Sequence, residues 1–174
     1  MATSIAVPVE EYLRTSYDPD MEYVDGQLLE RHVGEHFHSL LQILLGAELN
    51  SRRRSRRFRV FAEQRIQISA EPRYRIPDLC VMALPYEVAP VLRGPHLVIE
   101  ILSPDDTGAD TLTKITDYLR ADIPHVWIID PYERTLTEAG QSGVRRPAGL
   151  VLATPLVGEV DFAPLFAELD EPTE

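Results

Sequence analysis

The chain has 174 residues, 44% of them hydrophobic, which is enough for one domain with a sizeable core and shows no composition shift that would divide it. The formal net charge of −11 excludes attraction to a polyanion over the whole surface, so any such contact has to be local. A lone Cys80 excludes an internal disulfide framework and any multi-cysteine metal site, and no window approaches the roughly eighteen continuous apolar residues of a membrane span. The opening residues lack a basic stretch followed by an apolar one, so the expectation is a cytoplasmic protein forming a single domain over residues 1–174.

In chain order, Pro8 to Leu13 suits the first turn of a short helix. Met21 to Glu30 presents two strand-like arms around Asp25-Gly26, a hairpin signal because both central residues of that turn need positive φ. From Gly34 to about Asn50, Phe37, Leu40, Leu41, Leu44, Leu45, Ala47 and Leu49 recur at helical spacing and predict an amphipathic helix with a broad buried face. The chain has sixteen arginines and one lysine, and six of the arginines lie between Ser51 and Arg59. Such a cluster is either a solvated helix end or a phosphate-contacting patch, with Arg52, Arg53, Arg54, Arg56 and Arg57 as the candidate nucleic-acid ligands.

Phe58 to Ser69 reads as one strand with Val60, Ala62, Gln64, Ile66 and Ile68 in phase, and Pro72 to Tyr74 as a turn. Ile76 to Met82 is a second strand, Pro85 to Pro95 a proline-marked loop, and Leu97 to Leu102 a third strand, buried on both faces. Asp105-Asp106-Thr107 can cap a helix with Leu112, Ile115 and Leu119 as its apolar stripe. Val126 to Ile129 is another buried strand, and Thr135 to Phe166 suits one or two edge strands and a closing segment. Helix, three strands, helix, strand, with a hairpin in front, predicts an α/β domain on a mixed sheet.

Two residues are out of place in these apolar runs. An unpartnered carboxylate taken out of water costs several kcal/mol, roughly, so Asp78 and Glu100 have to be paired, neutralised or metal-bound. Asp78 shares its phase with Ile76, Cys80 and Met82, and Glu100 with Val98 and Leu102; on neighbouring strands both point to one side of the sheet. Two acids and an open site suit a hard cation such as Mg2+, with Mn2+ as substitute, which keeps waters beside one or two carboxylates. The alternative is one acid in a salt bridge and the other at an exposed strand end. Lys114 is the single lysine, and its helical position sets it one turn before Tyr118 at the edge of the buried face, where its ammonium can reach the carboxylates; the alternative is an ordinary surface lysine lying over the helix. The histidines read as surface or core residues: His32 and His36 stand four apart without a third ligand, and Glu35-His36-Phe37-His38 lacks the spacing of a zinc helix. Cys80, inside an apolar strand, reads as a small buried hydrophobe.

Arg75-Ile76-Pro77-Asp78, then Leu97 to Pro104 with Glu100, then Asp110 with Lys114 and Tyr118, then Val126 to Pro131, resemble the Uma-two family of restriction-endonuclease-like domains, a branch of the PD-(D/E)XK nuclease superfamily. The likeness covers roughly Glu22 to Asp130. It implies an αβββαβ core and a divalent-metal phosphodiesterase site with Asp78 and Glu100 as ligands. The superfamily's standard pattern has a lysine two residues after the strand glutamate, where this chain has Leu102; Lys114 matches those branches whose lysine has moved to the following helix. Glu22 corresponds to a glutamate of the family pattern and is an accessory ligand by that resemblance, with Gln64 a weaker candidate. The function so implied is a metal-dependent endonuclease acting on nucleic acid, DNA first, with Asp78, Glu100 and Lys114 as the catalytic set. The competing reading is a catalytically silent nucleic-acid- or protein-binding module that keeps the fold. A symmetric homodimer is expected by analogy with small nucleases that cut two strands.

Overall fold

The computed structural model describes residues 7–31 and 35–170. His32 and the predicted helix start at Gly34 lie outside the described residues. The elements are α1 (Val9–Arg14), β1 (Met21–Val24), β2 (Gln27–Glu30), α2 (His36–Arg56), β3 (Phe58–Ala62), β4 (Ile66–Gln67), β5 (Tyr74–Arg75), β6 (Leu79–Ala83) and β7 (Leu92–Arg93), followed by β8 (Leu97–Ile101), α3 (Gly108–Arg120), β9 (His125–Asp130), β10 (Thr135–Gly140), β11 (Gly143–Arg145), β12 (Val151–Thr154), β13 (Gly158–Asp161) and α4 (Ala163–Glu168).

A six-stranded sheet runs in the order β11-β10-β9-β8-β6-β3. It is mixed: β8 and β9 are parallel and the other pairs antiparallel. The succession α2, β3, β6, β8, α3, β9 is the αβββαβ order that the sequence pattern predicts. Strand alternation divides the core into two layers. Leu79 and Val81 of β6 and Leu97, Ile99 and Ile101 of β8 pack with Leu41, Leu45 and Leu49 of α2 on one face. Cys80 and Met82 of β6 and Val98 of β8 pack with Ile115 and Tyr118 of α3 on the other. Asp78 and Glu100 belong by the same alternation to the α3 face.

A second sheet, β2-β1-β5-β4-β7, stands beside the first and carries the hairpin. Asp25 (φ 52°) and Gly26 (φ 82°) take the positive-φ pair that the Asp-Gly turn requires. The predicted strand from Phe58 to Ser69 is two strands in two different sheets. Glu63 adopts φ 51° and breaks the run, so β3 pairs with β6 while β4 pairs with β5 and β7. Helix α2 continues through the arginine run to Arg56 and ends at Arg57 in the left-handed region, beyond the predicted end near Asn50. In α3 the expected stripe is narrower: Ile115 is buried but Leu112 is 60% exposed. The C-terminal stretch holds four strands, β10 to β13, and α4, where only one or two edge strands are expected. These strands are short, three to six residues each, and bury only a few positions, such as Leu136 and Ala139 in β10 and Leu152 and Thr154 in β12. Among the described residues, no helix is long and apolar enough to cross a membrane.

Candidate active site

Strands β6 and β8 bring the two acids together. Leu79 stands opposite Ile99 and Cys80 opposite Val98, and one more step of that antiparallel register sets Asp78 opposite Glu100. Both residues are 3% exposed. Asp78 lies just ahead of β6, and its Oδ2 accepts a 2.7 Å hydrogen bond from the Ile101 amide of β8. Its Oδ1 accepts from Arg31 Nη2 at 2.7 Å and lies 3.2 Å from His38 Nε2 on the first turn of α2. Burial pushes the Asp78 carboxyl upward, but the His38 hydrogen bond, the His38 and Arg31 charges and the Ile101 amide outweigh it and hold the group below the usual range.

Glu100 is met from helix α3. Thr107 caps that helix, accepting from the Asp110 amide at 3.2 Å, while Asp110 Oδ2 accepts from the Thr107 hydroxyl at 2.5 Å; this fixes where the helix starts and which face meets the sheet. Lys114 and Tyr118, four residues apart, project from one face. Lys114 Nζ donates to Glu100 Oε2 at 2.8 Å, and the Tyr118 hydroxyl donates to Glu100 Oε1. Burial raises the Glu100 carboxyl above its ordinary range; Lys114 opposes that shift and the neighbouring Asp78 charge adds to it. Burial also works against the Lys114 charge, but Glu100 overrides it and holds the ammonium above the usual lysine range. Of the four residues Asp78, Glu100, Lys114 and Tyr118, Lys114 is the one that reaches solvent, with its side chain 24% exposed.

Among the described residues, no group of three or more His, Cys, Asp and Glu side chains is arranged to hold a metal ion. Asp78 and Glu100 are the two hard carboxylates here that could hold a cation with water and substrate oxygens completing its shell, and each is engaged by protein donors.

Residues 9–148 match the Uma2 family, whose description reads "Putative restriction endonuclease". The chain belongs to the Uma2 family. Among solved structures, a protein from Anabaena variabilis ATCC 29413 described as "a putative nuclease belonging to DUF820" is 24% identical, with a TM-score of 0.81 over 94% of this chain and 99% of that one. That likeness shows the fold. No curated protein matches. Uma2 membership supports a nuclease, with nucleic acid as the class of substrate.

The Uma2 fold gives the remaining candidates different surroundings. Glu22 on β1 has both carboxylate oxygens occupied: Oε2 by Arg75 Nη1 at 2.5 Å and Oε1 by the Ile76 amide at 2.9 Å. Arg75 in turn donates to Asp117 Oδ2 from Nε at 3.0 Å and from Nη2 at 2.5 Å, and Arg73 Nη2 lies 2.9 Å from Asp117 Oδ1. This buried quartet ties the hairpin sheet to the helix that carries Lys114 and Tyr118, and it fixes the backbone just ahead of Asp78. Gln64 lies in the crossing between β3 and β4, where its amide donates to the carbonyls of Pro90 at 2.9 Å and Arg65 at 3.2 Å. It buttresses a loop there, and its amide is turned to those carbonyls, not to the acid pair.

The arginine run sits at the other end of α2 from the site. Arg52 follows His38 by fourteen residues of one helix, about 21 Å at the helical rise. Arg52 pairs with Glu48 and bonds the Glu159 carbonyl, and Arg53 donates to the Asn50 carbonyl at 3.0 Å. Arg54, Arg56 and Arg57 are exposed. Cys80 is fully buried and its thiol is pushed up to about 12 by burial, the inert hydrophobe expected.

Sequence reasoning misses Arg31 and the role of His38. His38 is a core residue as expected, but it is also a donor to Asp78. Its position on the buried Leu41/Leu45/Leu49 stripe of α2 was the available signal, because a polar ring on that stripe needs a partner. Arg75 carries a similar signal, an arginine leading directly into the apolar run of β6.

Proposed function

We propose that the chain is an endonuclease that hydrolyses phosphodiester bonds in nucleic acid, DNA in the first place, with Asp78 and Glu100 binding Mg2+ or Mn2+. The observation that carries this reading is the juxtaposition of two buried acids, Asp78 bonded to the Ile101 amide next to Glu100, with Lys114 Nζ 2.8 Å from Glu100. When bound, the cation supplies Lewis acidity to the scissile phosphate and lowers the pKa of a coordinated water. Lys114 orients the attacking water, or offsets the negative charge that develops on the phosphate, with a compact ammonium at the open side of the site. Tyr118 holds Glu100 from the closed side through its hydroxyl, and His38 and the Ile101 amide hold Asp78, so both carboxylates are oriented before substrate arrives. Uma2 membership and the absence of a membrane-crossing helix among the described residues are compatible with a cytoplasmic enzyme acting as a dimer, which we include in the proposal.

The test is a nicking and cleavage assay on plasmid DNA and on single-stranded DNA and RNA, with Mg2+ or Mn2+, comparing wild type with Glu100→Gln and Lys114→Ala. Cleavage in the wild type that both variants lose supports the reading. Equal activity in wild type and Glu100→Gln would mark a contaminant and favour a silent binding module.

A further inference from the structure

Around the acid pair the side chains are already electrically matched. Asp78 and Glu100 supply two carboxylates; Arg31 lies 2.7 Å from one and Lys114 2.8 Å from the other, with His38 Nε2 as a further donor 3.2 Å from Asp78. The adjoining Glu22, Asp117, Arg73 and Arg75 close on one another and add no net charge. A divalent cation taken up by Asp78 and Glu100 therefore enters a site where each carboxylate already has a cationic partner. It also meets the Arg31 guanidinium as a like charge a few ångströms away, where low solvent access leaves the repulsion poorly screened.

Two events relieve that repulsion, the departure of a resident cation or the arrival of an anion. Arg31 is the resident cation whose backbone no helix or strand holds. It follows β2 and lies outside any helix or strand, whereas His38 is fixed in α2 and Lys114 in α3. Its Nη1 already lies 3.9 Å from Glu63, whose side chain is 49% exposed, so a second carboxylate marks a path from Asp78 toward solvent. A phosphodiester supplies the missing negative charge, and the planar guanidinium fork matches two phosphate oxygens.

We propose that Arg31 makes metal loading conditional on substrate: it neutralises Asp78 when no divalent cation is bound and transfers to a phosphate of the nucleic acid when one binds. This rests on the metal-dependent reading above. Because coupling is reciprocal, the metal must tighten nucleic-acid binding by the same factor by which nucleic acid tightens the metal.

The probe is Ca2+, a hard cation that takes the same oxygen ligands, titrated calorimetrically with and without a 20-base-pair DNA duplex that a gel shows to be intact afterwards. In the wild type the duplex should tighten Ca2+ at least about tenfold. Arg31→Gln should bind Ca2+ more tightly without DNA, and the gain from adding duplex should shrink to less than about threefold. Arg31→Lys, which keeps the charge, should retain most of the coupling. Arg31→Gln with unchanged or weaker Ca2+ binding and full coupling would overturn the proposal and leave Arg31 a structural partner of Asp78. Asp78→Asn separates metal binding from its coupling to DNA. If it binds Ca2+ as the wild type does, or if the wild type binds none even with the duplex present, the metal reading fails and the coupling falls with it; if Asp78→Asn loses Ca2+ while Arg31→Gln behaves as wild type, only the coupling fails. Should Arg31→Gln not fold, as read by circular dichroism, Arg31→Lys decides: coupling retained supports the proposal, and coupling abolished with the charge kept refutes it.

Discussion

Two clusters of buried charge lie within a few residues of each other, and they are built differently. In the Glu22, Arg75, Asp117 and Arg73 quartet the central Arg75, Glu22 and Asp117 side chains are 4–5% exposed, Arg73 at its rim is 23% exposed, and Arg75 forks onto Asp117 from two of its nitrogens. In the Asp78 and Glu100 cluster the carboxylates are as deeply buried, but neither cation is buried as Arg75 is: Lys114 is 24% and Arg31 15% exposed. A network centred on an arginine as buried as the two carboxylates it bridges has little to give to a ligand and works as architecture. Buried acids whose partners are long side chains reaching water can exchange those partners, which is what a binding site requires.

Removing the guanidinium of the closed cluster tests that difference most severely. Arg75→Met leaves Glu22 and Asp117 buried and short of partners, and should cost about 3–5 kcal/mol of folding stability in urea titration. Glu100→Gln should cost under about 1 kcal/mol in the metal-free protein, because Lys114 can turn to water and a charge that burial disfavours is gone. Equal losses in the two variants would erase the distinction.

Lys114→Ala should cut cleavage on the order of a hundredfold to a thousandfold while leaving metal affinity intact or slightly higher, since a positive charge beside Glu100 is removed. Lys114→Arg should rescue poorly. Cleavage that survives Lys114→Ala but not Glu100→Gln keeps the nuclease and removes the lysine from its mechanism.

A smaller effect is expected from the far end of α2. Replacing Arg54, Arg56 and Arg57 with glutamine should weaken nucleic-acid binding for all sequences alike, lowering the salt slope by about one unit for each phosphate that an arginine no longer neutralises. Arg52 should contribute less, being paired with Glu48. An unchanged slope makes the run a solvated helix end.

The smallest effect concerns His96 and His125, whose rings stand 4.8 Å apart at the opposite ends of β8 and β9 from the acids. Burial lowers both below the ordinary histidine value of 6.5, with the proximity of His125 adding to the shift of His96 and Glu138 opposing that of His125. The unfolded chain then takes up protons that the folded chain refuses. The contribution of this pair should be full above about pH 6.5 and be lost as pH falls from there to the depressed folded values, and His96→Gln with His125→Gln should remove that contribution from denaturation curves recorded from about pH 7.5 to 5.

Much of this was legible in the sequence because it follows from local rules. Periodicity gave α2 and α3, the Asp-Gly pair gave the hairpin, and strand alternation put Asp78 and Glu100 in phase with residues of the α3 face. Lys114 could be aimed at Glu100 because helical spacing and a single lysine leave few alternatives. The break at Glu63 was not legible, since a left-handed glutamate inside an alternating apolar run is imposed by the passage of the chain from one sheet to the other. Nor were the partners of the acids: Arg31 reaches Asp78 across 47 residues, and Arg75 reaches Glu22 across 53. Composition and spacing say that a buried carboxylate needs a cation, a hydrogen bond or a metal; which of sixteen arginines comes close enough to supply it depends on how two sheets and a helix pack, and only the tertiary structure decides it.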